Sequence, residues 1–194
     1  MSDVKEFLAR KEIEFSVKRY ALDALSAMAL GLFSSLLIGL IIQTIGQQTE
    51  KGFGANAVST FLIAIGGFAM SLMGPAIGVA VAHALKAPPL VLFASVATGG
   101  LGAMAWAEGT VAGGPAGAFV AVVIGAEFGK LVSKETKIDI LVTPAVTILM
   151  GGLAARLIGP LVGALMRGLG EVIMNATELQ PFWMGIVVSA IVGL

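Results

Sequence analysis

Charged residues are so sparse in this chain that they act as punctuation. No Asp, Glu, Lys or Arg occurs in 24–49, 52–85, 87–107, 109–126, 140–155 or 179–194. A helix that crosses a bilayer needs about 20 apolar residues, within a range of about 17–25. The first four gaps reach that length and the last two are marginal. In hydrocarbon every backbone N–H and C=O must be paired within its own segment, so each gap predicts a helix. The Leu/Ile/Ala/Gly runs do not alternate as the strands of a β-barrel would. Spans are predicted at 20–47, 56–86, 88–107, 113–133, 139–158, 160–176 and 181–194. Their number is six or seven, depending on the seam at 158–160. Ahead of them, 3–16 predicts an amphipathic helix with Val4, Phe7, Leu8 and Phe15 near one face. The chain therefore divides into an N-terminal cytoplasmic helix, 1–18, and a membrane domain, 19–194. The helix either docks a partner or the membrane surface, or simply leads into the first span.

Composition agrees with this pattern. Of 194 residues, 57% are apolar and only 12% are charged, about half the charged share of a soluble domain. The mean hydropathy is +0.97. A soluble domain of this size has too much surface to cover with so few polar side chains. An ordinary cytosolic enzyme, a nucleic-acid binder and a disordered chain are excluded. The absence of cysteine removes disulfides, thiolate metal sites and cysteine nucleophiles. A single histidine removes a His-rich metal centre. No cofactor, metal or covalent nucleophile is expected. The mixed charges of 3–14 do not make a signal peptide.

Lys and Arg in short loops set orientation. Lys5, Arg10, Lys11, Lys18 and Arg19 precede the first span, Lys51 follows it, and Lys86 closes the second. Loop 108–112 has no basic residue, and then come Lys130, Lys134 and Lys137. This alternation places the N-terminus in the cytoplasm.

Glycine supplies 26 positions, and two stretches of them match. Residues 65–78 read IGGFAMSLMGPAIG and 150–163 read MGGLAARLIGPLVG. Gly66/Gly151, Gly67/Gly152, Gly74/Gly159, Pro75/Pro160 and Gly78/Gly163 coincide without gaps. The first copy lies on a span directed outward to inward and the second on one of opposite sense, the signature of an inverted repeat. Proline removes a backbone donor, so a helix tends to break or restart there. As one straight helix 56–86 would be about 46 Å long, against a hydrocarbon core of about 30 Å, and a broken or strongly tilted helix is expected. The fold class is thus an all-α, polytopic transmembrane bundle with broken helices and a candidate inverted repeat.

Ionisable groups at membrane depth usually face a cavity or a partner. His83, Glu127, Arg167, Glu171 and Glu178, with Asn175 beside them, are the candidates for binding a hydroxyl-rich substrate. Each also has a plainer reading. His83 makes either a sugar contact or a structural hydrogen bond. Glu127 and Lys130, spaced i,i+3, and Arg167 and Glu171, spaced i,i+4, are natural helix ion pairs. Asn175 and Glu178 precede Gln180-Pro181, where a new helix would start. Glu108 beside Trp106 reads as interfacial, and Arg156 completes the set.

The run GAEFGKLVSKETKIDILVTP (125–144), the GGP at 113–115, NATELQP at 175–181 and MGPAIGVAVAHALKAPPLVLFASV (73–96) carry a likeness. The chain resembles the EIIC-type permease family of the bacterial sugar phosphotransferase system, and more closely its stand-alone branch of membrane proteins described as toxin regulators. The resemblance implies a homodimeric permease subunit that moves a sugar or polyol across a lipid membrane while a separate EIIB phosphorylates it. No EIIA or EIIB domain and no cysteine phospho-site is in the chain. Any phosphate would come from another protein, so at most this is the membrane subunit of a phosphotransferase. The chain stops at Leu194 inside an apolar segment where family members run on, and the expectation is a fragment or shortened homologue. The alternative is a membrane sensor or regulator, derived from an EIIC, that transports nothing.

Overall fold

A computed structural model describes residues 2–13, 16–106 and 112–179. These form helices and no strands: α1 Ser2–Arg10, α2 Lys18–Phe53, α3 Ala57–Ser71, α4 Met73–Ala84, α5 Pro89–Ala103, α6 Gly114–Val132 and α7 Asp139–Leu179. Among the described residues three helices are long and apolar enough to cross a membrane: α2, α6, and α7 over Asp139–Met174. The α3–α4 pair, bent by 48°, makes a fourth if it counts as one broken span.

That is fewer than the six or seven spans expected, for identifiable reasons. The segments 139–158 and 160–176 are one continuous helix of 41 residues, with Pro144 and Pro160 inside it. Pro160 forfeits one hydrogen bond without breaking the helix. Among the described residues nothing lies within 4 Å of where a Cβ on the neighbouring Gly159 would be. The segment 88–107 yields only the 15 residues of α5, about 22 Å, because Met104 turns extended (ψ 162°). The segment 181–194 lies outside the described residues. The helix expected over 3–16 stops at Arg10, where the chain turns and Glu12 takes a positive φ of 55°; Phe15 lies outside the described residues.

The break within 56–86 is present. Asn56 caps α3 through the Val58 and Ser59 amides, and the Ser59 hydroxyl accepts from the Asn56 amide. The helix ends at Ser71, passes through Leu72 (φ −86°, ψ 9°) and restarts at Met73. Pro75 is the third residue of α4, where its missing N–H would have no intrahelical partner. The two Gly-Pro copies therefore differ: 65–78 straddles a bend and 150–163 lies within an unbroken helix. They run in opposite senses along the bundle, but they do not share a conformation.

α2 and α3, and each successive pair from α4 to α7, pack antiparallel, and glycine marks the crossings. Gly31 of α2 lies against Ala76 and Ile77, Gly39 against Gly66, Gly78 of α4 against Ser95, Gly102 of α5 against Gly117, and Gly125 of α6 against Thr147. Lipid supplies no hydrophobic drive between helices, so small residues that let backbones approach hold the bundle together. At Gly78 a Cβ would collide with the Ser95 carbonyl oxygen. The centre of the bundle is Ile77, Val81, Leu85, Val91, Ala118, Val122 and Ala126. The outer surface is also apolar, with Phe61, Phe68, Phe93, Leu149 and Leu157 all exposed. Apolar residues both inside and outside are what a lipid-immersed bundle requires.

Candidate functional site

Three helices end together at one end of the bundle. After α1, α4 and α6 the chain turns through Glu12, Lys86 and Lys134, with φ of 55°, 56° and 63°. This left-handed conformation costs about 1–2 kcal/mol for a residue with a Cβ. Each helix also leaves its last carbonyls without intrahelical partners, at the negative end of its dipole. Cations close these ends. The Arg19 guanidinium donates to the Leu85 carbonyl at 2.7 Å. The Lys130 ammonium donates to the same carbonyl at 3.1 Å, to the Glu12 carbonyl at 3.0 Å and to Glu127 at 3.0 Å. Its three N–H donors are then all used, and its side chain is only 1% exposed. The Lys11 ammonium donates to the Ser133 carbonyl and pairs with Glu135.

Glu127 is the acidic member of the cluster. Its side chain is 12% exposed. The Tyr20 hydroxyl donates to Oε1 at 3.1 Å, and Lys130 pairs with Oε2 at 3.0 Å. Arg19 and Tyr20 lie in a π-helical opening of α2, Lys18–Ala24, a feature frequent at functional sites. On one flank of the cluster Leu8, Ile13, Phe128 and Leu131 line a groove of about 410 Å³ with Glu127 and Tyr20 in its wall. On the other a pocket of about 490 Å³ opens among the helix ends.

Of the residues predicted to contact substrate, only Glu127 sits in this cluster. His83 is two residues before Leu85, and its ring is exposed. Arg167 and Glu171 are exposed on the distal half of α7, and no ion pair joins them among the described residues. Arg167 lies 28 residues beyond Asp139, about 42 Å along the helix, and α7 begins beside the cluster. One small substrate does not reach both Glu127 and Arg167 of the same chain. Asn175 and Glu178 fall in the last turns of α7, and their side chains lie outside the described residues, as does Glu108. Arg156 is exposed on α7. Sequence reasoning missed Arg19, the chain's single tyrosine Tyr20, and the Leu85 and Glu12 carbonyls. It noted Lys130 only as an ion-pair partner. A lone lysine three residues after a lone glutamate in an uncharged stretch was the available signal.

Residues 22–194 match the family model described as phosphotransferase system, EIIC. The chain belongs to the EIIC family. No curated protein and no solved structure matches it significantly. Family and apolar helices together make this EIIC an integral membrane component of the phosphotransferase type. The match takes in Glu127 and Lys130 and begins just after Arg19 and Tyr20. The EIIC cluster is therefore built partly from the family region and partly from the segment before it.

The clamp on α1 responds to acid. The Lys11 ammonium, hydrogen-bonded to Glu135, holds that exposed carboxyl below its ordinary value of 4.5, and Arg10 adds to the effect. A carboxyl depressed in the folded state stabilises it above the unfolded value and loses that contribution as pH falls through the folded one. Amide exchange in residues 2–13 of this EIIC is expected to be slow at pH 7 and to accelerate, beyond its intrinsic pH dependence, below pH 4.5. Glu135→Gln should produce the fast exchange already at pH 7. Equal protection in wild type and variant would show that the ion pair does not hold α1.

Proposed function

We propose that this EIIC chain binds and translocates a sugar or polyol, with phosphate supplied by a separate EIIB-type phosphocarrier. The observation that carries the reading is the family match over 22–194. The broken α3–α4 span supports it, since discontinuous helices commonly build the moving and binding elements of transporters. In this reading α1 and the cation-rich helix ends face the cytoplasm of a bacterial cell, in keeping with the excess of basic residues there. The two Gly-Pro stretches, of opposite sense, belong to halves of an inverted repeat that move against each other. His83 and Glu127 contact substrate hydroxyls, and Asn175 and Glu178, supported by Arg167 and Glu171, contact them from the other copy of a homodimer. A homodimer gives the exposed Arg167 and Glu171 a partner, which charges at membrane depth require.

The test is uptake of radiolabelled hexoses and hexitols by proteoliposomes holding the chain and its EIIB. Accumulation of at least one phosphorylated sugar is expected, and Glu127→Gln should lower it about tenfold or more, the worth of a hydrogen bond to a charged group. If no sugar of the panel accumulates, the transport reading fails.

A second reading, a sensor or regulator that transports nothing, is favoured by two observations. Oε1 of Glu127 already accepts from both Tyr20 and Lys130, while Oε2 lies 3.0 Å from the Lys130 ammonium and accepts no hydrogen bond among the described residues. Gly74 packs against Gly99 and Ala103 of α5, so this part of the first Gly-Pro stretch faces a helix. Sugar binding without uptake would select this reading.

A further inference from the structure

We propose that the pocket among the ends of α1, α4 and α6 is a binding site for a phosphate ester group. The proposal goes beyond transport and does not depend on it.

The charge count comes first. Arg10, Lys11, Lys86, Lys130 and Lys134 line the pocket, against Glu12 and Glu135. The two carboxylates are committed: Glu12 pairs with Lys86 at 3.4 Å, and Glu135 with Lys11 at 2.5 Å. Lys130 is neutralised from behind by Glu127 and has no N–H left to donate. Asp139 accepts from the Lys134 amide at 2.8 Å, so among the described residues the five cations face four carboxylates and one positive charge is in excess. Arg10 is 3.6 Å from a Glu135 already held by Lys11, and Lys134 forms no side-chain ion pair among the described residues. That excess attracts a phosphate ester, whether a singly charged diester or a monoester of about −1.5 to −2 at neutral pH. The guanidinium of Arg10 adds a planar fork suited to two phosphate oxygens.

The second argument is conformational. The three non-glycine residues with positive φ among the described residues are Glu12, Lys86 and Lys134, and all three line this pocket. Strained residues of this kind persist where the surroundings over-determine them, and they cluster at ligand sites. A glycine in any of the three turns would relieve the strain, but glycine would remove a polar side chain from the lining.

Size argues the third point. At about 490 Å³ the pocket lies within the range of small-molecule sites and is far larger than a phosphate ion needs. The ligand is an ester with an organic part. It is either a soluble sugar phosphate or the headgroup of an anionic phospholipid, and the phosphate chemistry of the two is shared.

The experiment uses the full chain in phosphatidylcholine nanodiscs, titrated calorimetrically with glucose 6-phosphate and with glucose. In parallel, nanodiscs with equal phosphatidylglycerol and phosphatidylcholine are opened in the mass spectrometer and the retained lipid is identified. The variant is Arg10→Gln/Lys134→Gln, since both positions are exposed. Lys18→Gln, an exposed lysine outside the pocket, is the control. Binding of glucose 6-phosphate but not glucose, weakened about tenfold in the double variant and unchanged in Lys18→Gln, identifies a soluble ester. Selective retention of phosphatidylglycerol, lost in the double variant alone, identifies a lipid headgroup. If neither probe responds to the double variant, or if Lys18→Gln weakens binding equally, the proposal is overturned.

Discussion

Lys130→Met is expected to lower the stability of the folded chain by about 3–5 kcal/mol, the usual loss when one partner of a buried ion pair is removed. The reason lies in what the ammonium leaves behind. Glu127 would keep a 12%-exposed carboxylate with only the Tyr20 hydroxyl against it. The Glu12 carbonyl would lose the Lys130 bond, and Leu85 would keep only Arg19. Thermal unfolding in a fixed detergent measures the loss. Glu127→Gln/Lys130→Met should recover part of it, because the stranded charge is gone. A single-variant loss below about 1 kcal/mol, in the range of a surface pair, would show that water reaches this cluster.

Gly78→Ala should destabilise the bundle by about 1–3 kcal/mol, the range for overpacking a filled interior. The added methyl meets the Ser95 carbonyl, and backbone cannot rotate aside as a long side chain can. The same substitution at Gly159 should be neutral, or stabilising by up to about 1 kcal/mol through helix propensity, because no described residue lies within 4 Å of that Cβ. The opposite signs of one chemical change make the pair informative. Equal effects at both positions, read by the same unfolding measurement, would mean that α4 and α5 do not approach as closely as described.

In the described residues the hydrophobic pattern foretold helices where charge was missing, because hydrocarbon permits no other solution for a single segment. It also foretold the break in 56–86, since that run is too long for one crossing and contains a proline. It left the seam at Gly159-Pro160 open, and there the helix continues unbroken although the dipeptide is that of Gly74-Pro75. Gly74 packs against Gly99 and Ala103, whereas no described residue lies within 4 Å of a Cβ on Gly159, and the local sequence does not encode a neighbour. The polar cluster was hidden for the same reason. Tyr20 and Glu127 are 107 residues apart, and Arg19 and Leu85 are 66 apart. Half of the acceptors are backbone carbonyls, which no side-chain pattern reveals. Glu127 stood out because an isolated carboxylate in an apolar run is rare, whereas Arg19 was absorbed into a basic N-terminal count that served only for orientation.

The ties on α1 have a consequence for the order in which the molecule is assembled. Lys11 is held by Ser133 and Glu135, and the Glu12 carbonyl by Lys130. The lysine ties span 122 residues, from Lys11 to Ser133, and 118, from Glu12 to Lys130, so none of these partners exists on the ribosome when α1 is made. The antiparallel helix pairs close between neighbours, and each can form as soon as its second member enters the membrane. α1 is thus made well ahead of the residues that fasten it, which arrive with α6 and the turn after it. Until α6 arrives, the Leu85 carbonyl at the end of α4 has its bond from Arg19 but not the one from Lys130.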